Sequence, residues 1–526
     1  MGQDSVALWL LKICQQDLLT TFVAFLSIIS FGHYAACHIL FHHATPDKQG
    51  LKEPPLVPSQ IPFIGHISWQ MVWNPRQWAL QTKELFHHDH PRHPSPFSLH
   101  GFLLQRVFSL PPKALERYDE DDSGAYPKPI IHSKVKPHNR IEYPMGKLLH
   151  RFLLGPGLLS FAQRFQADYA QRVQRLAVGK DWVEWDNFIT LYTHDLTASL
   201  LNALCGKALL HRHPEFLTYL WTVENNVWKL MSGLPRFLFP KVYSNRDKGL
   251  AALKDWHSWA SEKFNASAVD VAGDDPIWGS KFFRERKELF NKVDGFDQDA
   301  IATHDFAFIW GATNNVGISA FWTTYEAFRD PEILFQVREE AKSCLTVNPD
   351  GGLPQFDVKR LEEQPMLQAI YAETLRLRIG GFLVRQQTQD DLNVEGWRIP
   401  KNYYILTNTM QGHMNPDIWS TGAFQDHPVE EFWPGRFLKL SANGLSSEFS
   451  LEMSKGAWNP FGGGHHACPG RRFAKTMNIF ATALIVHTFD CEFDHADSKA
   501  LEMSMRNFGF GIAGPKGKVP VRIRRR

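Results

Sequence analysis

The chain has 526 residues, 44% of them hydrophobic, which is long enough for one large domain or two ordinary ones with an ample core. Its 57 basic and 55 acidic side chains nearly cancel, so no chain-wide field marks it for nucleic acid. Six cysteines (Cys14, Cys37, Cys205, Cys344, Cys468 and Cys491) stand apart without C-x-x-C spacing, which argues against a disulfide framework or zinc site and fits reduced thiols facing the cytosol.

The first clear signal is Leu18 to Phe41, LLTTFVAFLSIISFGHYAACHILF, which carries no formal charge. Its 24 residues would span ~36 Å as a helix, enough for a ~30 Å hydrocarbon core, so a transmembrane anchor is expected at 18–41 after a flank at 1–17. A cleaved signal peptide fits less well, because the apolar run is too long and no small-x-small site follows it. Lys48, Lys52 and Arg76 follow the span and weigh toward a cytosolic placement of the bulk. Prolines at 54, 55, 58 and 62 then forbid a helix and predict a stiff, extended neck within 42–66. The clusters His42-His43 and His87-His88-Asp89-His90 lie beside prolines and charges and read as solvated loops.

Residues 67–526 show no internal repeat and no low-complexity linker, so one catalytic domain is expected. Strands are predicted at Phe97 to Leu104 and within Phe382 to Ile405, where Gly396 and Pro400 punctuate the pattern. Apolar residues recurring at three and four predict helices over Phe161–Leu176, Trp185–Cys205, Pro214–Met231, Lys248–Phe264, Phe296–Arg329, Pro331–Leu345, Gln364–Leu377 and Arg471–His487. The body is therefore mainly α with a minor β part. Between two of these helices, the apolar, proline-bounded Gly233 to Tyr243 reads either as a membrane-dipping loop or as a packed connector.

The stretch with the most chemistry is PFGGGHHACPGRRFAKTMNIF, Pro460 to Phe480. Gly462, Gly463 and Gly464 remove side chains where a backbone must pass close to a flat group, and Pro469-Gly470 open a helix. A thiolate at Cys468 would face the unpaired N–H groups and positive dipole end of that helix, which suits a lone ligand to haem iron. The pattern F-x-x-G-x-x-x-C-x-G, met from Phe461 to Gly470, arises by chance in on the order of one such chain in a thousand. Glu373 and Arg376, three apart in LQAIYAETLRLR, share a helix face and can pair. Downstream, FWPGRF supplies Arg436 in a P-x-R-F element.

These motifs, in this order, resemble the haem-thiolate cytochrome P450 family. The resemblance implies the P450 fold behind a single transmembrane helix, haem b held by Cys468, and cofactor contacts from Phe461, Gly462, Gly464, His466 and Gly470. It also implies a buried triad of Glu373, Arg376 and Arg436 bracing the proximal haem side, and Arg385 as a propionate partner through its bidentate fork. Two departures stand out. His466 replaces the arginine that relatives carry two residues before the cysteine, and no W-x-x-x-R helix occurs near the front of the domain.

In the family, a long helix crosses the distal haem face with a small-Gly-x-acid-Thr pattern. Sixteen residues before Pro331, this chain reads Gly311, Ala312, Thr313, Asn314 and Asn315, so Asn314 stands for the acid and Asn315 for the alcohol. Ala312, Asn314 and Asn315 are thus the distal catalytic positions. An acid relaying protons is worth ~10²–10⁴-fold, whereas a carboxamide does not titrate and can only orient water or substrate. Asparagine here, within FIWGATNNVGISAFW, resembles the branch holding sterol 7α-hydroxylases and prostacyclin synthase.

The leading expectation is an endoplasmic-reticulum monooxygenase with its catalytic domain toward the cytosol. It would oxidise a bulky apolar molecule such as a sterol, terpenoid or other secondary metabolite. Electrons would come from an NADPH-cytochrome P450 reductase, with cytochrome b5 as a second donor, since no flavin or nicotinamide motif occurs. Lys455, Arg471, Arg472 and Lys475 around the cysteine loop form the expected docking face. A reductase-free isomerase or dehydratase acting on a peroxide, and a non-catalytic haem sensor or carrier, are the alternatives.

Overall fold

Helices carry most of the chain in the computed structural model, which describes residues 97–346, 353–386, 390–394, 397–441, 446–493 and 501–526, together with Gly32 and Ala35. The anchor expected at 18–41, apart from those two helical residues, lies outside the described residues. So do the neck at 42–66, the four-residue histidine cluster at 87–90, Cys14 and Cys37. No helix among the described residues is long and apolar enough to cross a membrane.

Two units divide the chain, a larger one (residues 95–384 and 406–526) and a smaller one (residues 1–94 and 385–405) whose described part, Gly32 and Ala35 apart, falls within residues 385–405. In the smaller unit Leu392–Val394 pairs antiparallel with Trp397–Ile399 and sets Leu392 opposite Ile399, the two residues its apolar core is built on. The β content predicted across 382–405 is found, with further strands at Phe382–Gln386 and Tyr404–Asn408.

Eight helices of the larger unit position the site: α1 (Phe97–Phe108), α2 (Gly157–Arg175), α3 (Phe216–Glu224), α4 (Pro240–Lys263), α5 (Gln298–Arg329), α6 (Pro331–Ser343), α7 (Pro365–Arg378) and α8 (Arg471–Thr488). A three-stranded antiparallel sheet, ordered Val183–Trp185, Val521–Arg525, Phe489–Phe493, gathers both ends of this unit, with Val521 opposite Trp185 and Phe493.

Helix α5 is the axis. Asp297 caps it by accepting from the Ala300 amide, and nearly every residue from Ala300 to Phe328 is buried. It stops at Asp330 because Pro331 disfavours helix in the residue before it, and the Asp330 carboxylate then caps α6. Glu340, near the end of α6, accepts from the Met366 and Leu367 amides at 2.8 Å each and so caps α7. A buried polar layer locks α5, α7 and α8 in register: Thr323 meets Thr374 at 3.3 Å, Asn478 donates to Thr323 at 3.2 Å, and Thr324 meets Thr482 at 3.2 Å. Asp305 on α5 takes Arg286 at 2.7 Å and His257 of α4 at 2.9 Å, a second buried tie.

Four sequence expectations are corrected. Phe97–Phe108 is a helix, not a strand: Phe97, Leu104, Val107 and Phe108 form its buried stripe, and that spacing suits a helical turn rather than alternation. Trp185 ends a strand, and Trp185–Cys205 resolves into a π-helical segment, Leu191–Leu196, running into the helix Thr197–Cys205. Pro214–Met231 is broken at Asn225-Asn226 into α3 and Val227–Met231. Helix α4 begins at Pro240, whose missing N–H costs nothing at a first turn, so only Gly233 to Phe239 of the proline-bounded segment lies outside it.

Candidate active site

The cysteine loop hangs from the layer that holds the charged triad. Trp458 Nε1 donates to the Ala372 carbonyl on α7 at 3.0 Å, and the Asn459 amide donates to Nε2 of buried His413 at 3.1 Å. Beyond these anchors the loop closes on itself: Gly462 N–H reaches Asn459 O at 3.1 Å, Ala467 N–H reaches Gly464 O at 3.1 Å, and Cys468 N–H reaches Phe461 O at 2.9 Å. Gly462 and Gly464 hold φ of 69° and 66°, a conformation that side chains penalise.

Cys468 ends this loop three residues before Arg471, the first of α8, and it is the exposed cysteine among those described, since Cys205 and Cys344 are buried and Cys491 is half-buried. Desolvation by the surrounding protein raises its pKa, while the Gly470 N–H and the Arg471 charge pull it down. Arg471 also donates to the Cys468 carbonyl at 3.1 Å.

Behind the loop the triad is closed. Glu373 receives Arg376 at 2.7 and 2.8 Å through two nitrogens, Arg436 at 2.9 Å and the Trp433 amide at 3.0 Å, with all three charged side chains fully buried. Two cations face one anion, and backbone carbonyls absorb the excess: His413 and Glu431 for Arg376; Trp419, His427, Pro428 and Glu431 for Arg436. Desolvation nevertheless lowers the pKa of Arg436.

On α5 the two asparagines turn to different neighbours. Asn314 is buried; its Nδ2 donates to Glu224 of α3 at 3.0 Å, and its Oδ1 accepts from Thr313 Oγ1 at 3.3 Å. Asn315 is exposed, and its Oδ1 accepts from the Ile512 amide at 3.1 Å, a bond that Gly511 admits because a Cβ there would collide with that oxygen. This fixes the amide orientation and turns Asn315 Nδ2 away from Ile512. Trp310 Nε1 also donates to Glu224, at 2.7 Å, and Ala312 is buried. Relative to the Asn478–Thr323 contact, Asn315 and Cys468 lie about two to three helical turns back along α5 and the α8 segment.

A family model described as cytochrome P450 matches residues 147–521. The chain belongs to the cytochrome P450 family. It is 30% identical over 515 residues to "Cytochrome P450 monooxygenase fsoE" of Humicola fuscoatra, covering 90% of this chain and 88% of that protein. It is 28% identical to "Cytochrome P450 monooxygenase efuG" of Hormonema carpetanum, covering 92% of each. It is 27% identical to "Cytochrome P450 monooxygenase calL" of Penicillium decumbens over 77% of this chain and 75% of that one.

Membership of the P450 family implies haem with a cysteine thiolate on its iron, and the residues present fit that group: the Cys468 thiol, exposed where the other described cysteines are not, glycines where the backbone must pass close, and a donor at Gly470. No group of three or more His, Cys, Asp and Glu among the described residues forms a metal cluster of another kind. His466 follows Gly464 and His465 in the short 3₁₀ turn of the loop. Beside the loop His465 stacks on Tyr126 at 4.9 Å, and His150 has its pKa lowered by burial and then by Arg471 and His465. Arg140 organises that neighbourhood by donating to Ser123 Oγ and to the Pro127 and Tyr126 carbonyls. Arg385 belongs to the smaller unit, on Phe382–Gln386.

Sequence reasoning brought Cys468, Gly462, Gly464, Gly470 and Phe461 together, and likewise Glu373, Arg376 and Arg436. It missed Glu224, Trp310, Asn507, Ile512 and the anchors Trp458 and His413. Trp458 stands two residues before Pro460 and was open to notice; the others meet the site only through contacts far apart in the chain.

Proposed function

We propose that this P450 is a monooxygenase that inserts one oxygen atom of O₂ into a bulky apolar small molecule, a sterol, terpenoid or other secondary metabolite, with electrons from an NADPH-dependent reductase. The observation that carries it is the Cys468 thiol, set by its closed loop at the head of α8 and backed by a fully buried Glu373–Arg376–Arg436 triad. The three relatives from Humicola, Hormonema and Penicillium bear the name monooxygenase.

Bound haem b supplies the redox-active iron for O₂ chemistry. The chain's own residues do the rest. Gly470 N–H and the positive end of α8 hold charge on the Cys468 sulfur. Asn315, whose Oδ1 is taken by the Ile512 amide, offers its two Nδ2 N–H donors to water or substrate oxygen, and Ala312 leaves room beside it. His466 and Arg385 are the proposed propionate partners, and Phe461 packs in the cysteine loop.

The docking face for the reductase is drawn from the four basic residues with one adjustment. Arg472 pairs with Glu362 at 3.8 Å and Lys475 donates to Gln368, so Arg471 and Lys455 are the cations with most freedom to meet an acidic partner. Placement at the endoplasmic reticulum membrane rests on the apolar 18–41 segment. A second membrane contact is proposed at Gly233–Phe239, where Phe237 and Leu238 are 78% and 49% exposed beside Arg236.

Turnover that needs NADPH, reductase and O₂ together supports this reading. Undiminished activity without O₂ and reductase contradicts it and favours the isomerase or dehydratase, which the non-titrating asparagine pair would suit. Any substrate turnover rules out a sensor or carrier.

A further inference from the structure

We propose that the cavity beside the exposed Gly233–Phe239 segment is a headgroup site for an anionic phospholipid, with Lys229 and Lys241 holding the phosphate. The inference rests on the proposed membrane placement and goes beyond it. An apolar contact through Phe237 and Leu238 needs no particular lipid, whereas a basic cavity next to them selects one by charge.

Helix α3, the short helix Val227–Met231 and the first turn of α4 border an open cavity of about 580 Å³, within the range of sites that take a small organic group. Lys229 enters it from the short helix and Lys241 from α4, while Asn225 and Thr218 add polar lining and Trp221 an apolar wall. Leu238 lines the cavity and also belongs to the exposed segment, so the two are continuous. Trp228, Leu234, Phe237 and Leu238 are all exposed. Single exposed apolar side chains are ordinary, but these four lie close together in the chain and mark an interaction surface.

The charges around the cavity are one-sided. No acidic side chain is among the described residues that line it. Lys229 lies over the Trp228 and Phe239 rings at 5.5 and 5.3 Å, and neither it nor Lys241 has an ion-pair partner among the described residues. Carboxylates on the flanking helices are engaged elsewhere: Glu224 takes Trp310 and Asn314, and Asp247 takes Arg236 and Arg246. Helix α4 begins without a side-chain cap, and its first turn contains Lys241 and no acid. A cation there opposes the positive end of the helix dipole, a cost that a bound anion reverses. A phosphate accepts from both ammonium groups and from the Asn225 carboxamide, which has no side-chain partner of its own among the described residues.

The apolar border selects a lipid over a free anion. Phe237 and Leu238 suit the acyl boundary of a bilayer, and the lysines beside them suit the headgroup level just above it. Each lysine near an anionic bilayer surface strengthens association by about fivefold, so the pair supplies about 25-fold. A zwitterionic bilayer offers the same apolar boundary without that gain. One lipid seated here ties the end of α3 to the start of α4.

The test places the full-length holoenzyme in vesicles of phosphatidylcholine alone or of phosphatidylcholine with phosphatidylserine, and reads backbone hydrogen–deuterium exchange across 229–242. In the proposed placement the 18–41 segment carries the chain into both vesicles, so local exchange isolates the site from overall attachment. Exchange there should be about 5- to 25-fold slower with phosphatidylserine present. Lys229→Glu with Lys241→Glu should abolish that difference, and Lys229→Arg with Lys241→Arg should keep it. A wild-type reduced carbon-monoxide spectrum shows that each variant is folded and loaded; should the charge-reversed pair fail, Lys229→Gln with Lys241→Gln reads the same loss. Equal protection in the two vesicles overturns the headgroup site while the apolar membrane contact stands, and no protection in either overturns both. A difference that survives loss of the lysine charges overturns their assignment. Equal protection of detergent-solubilised enzyme by inorganic phosphate marks a free-anion site and overturns the lipid.

Discussion

Glu373→Ala removes the one anion shared by two buried guanidiniums. Breaking a buried ion pair typically costs about 3–5 kcal/mol because the abandoned charge stays desolvated. Here Arg376 and Arg436 are both abandoned with fully buried side chains, and the Trp433 amide also loses its acceptor, a further ~1–3 kcal/mol if it stays buried. The carbonyls of His413, Glu431, His427 and Pro428 soften the loss without supplying negative charge. The total, on the order of 5 kcal/mol, rivals the whole stability of an ordinary domain, about 5–15 kcal/mol. The cysteine loop hangs on this layer through Trp458 and Asn459, so haem retention should fail with it. Haem content per polypeptide and the thermal unfolding midpoint by circular dichroism measure both effects. A variant with wild-type haem content and midpoint would refute the reasoning that the triad braces the proximal side.

Asn315→Ala should strand the Ile512 amide and loosen the C-terminal loop, lowering stability by about 1–3 kcal/mol in denaturant titration; no change would mean water replaces the side chain fully. Asn315→Thr restores the family's alcohol and should raise product formed per NADPH if proton delivery limits coupling, whereas a strict isomerase would gain nothing. The pH dependence of stability should carry two opposed contributions. Glu340, raised by burial to about 7 from 4.5, binds its proton more tightly when folded, so its contribution is full below the unfolded value and is lost as pH rises through about 7. His413, held by burial and Arg376 at about 3 against 6.5, stays neutral when folded, so its contribution is present above 6.5 and is lost as pH falls through that window toward 3. Glu340→Gln should therefore leave a midpoint that rises more steeply with pH between those values, and His413→Asn one that rises less or falls; identical profiles for both variants would contradict the assignment.

The sequence made the proximal half of the site legible because that half is local. Phe461 to Gly470 lie within ten residues, Glu373 and Arg376 sit one helical turn apart, and glycine and proline announce the loop in advance. The β segment at 382–405 was readable for the same reason, from Gly396 and Pro400. What escaped was set by long-range contact. Asn314 reads as a replaced acid in sequence, yet its amide is committed to Glu224, ninety residues earlier, and nothing in WTVENN marks that glutamate as a partner. Asn315 meets Ile512 from the other end of the chain. Phe97–Phe108 misled because a short apolar run suits either a strand or a buried helix, and only packing on Tyr118 and the α5 residue Phe306 decides between them. The break at Leu191–Leu196 follows from π-type bonding that hydrophobic periodicity does not register.

The asparagines therefore join the two halves of the distal site to different walls, one to α3 and one to the C-terminal loop. Neither is simply a deletion of function. Asn314 presents α5 to a carboxylate, and Asn315 keeps both Nδ2 N–H donors for whatever oxygen occupies the site.

Everything above depends on Cys468 holding the haem iron. The most direct measurement is the reduced carbon-monoxide difference spectrum of the purified full-length chain beside its Cys468→His variant. Wild type should show the red-shifted Soret band of thiolate-ligated haem, and the variant should lose it while keeping the triad's fold by circular dichroism. A variant spectrum indistinguishable from wild type would contradict thiolate ligation by Cys468.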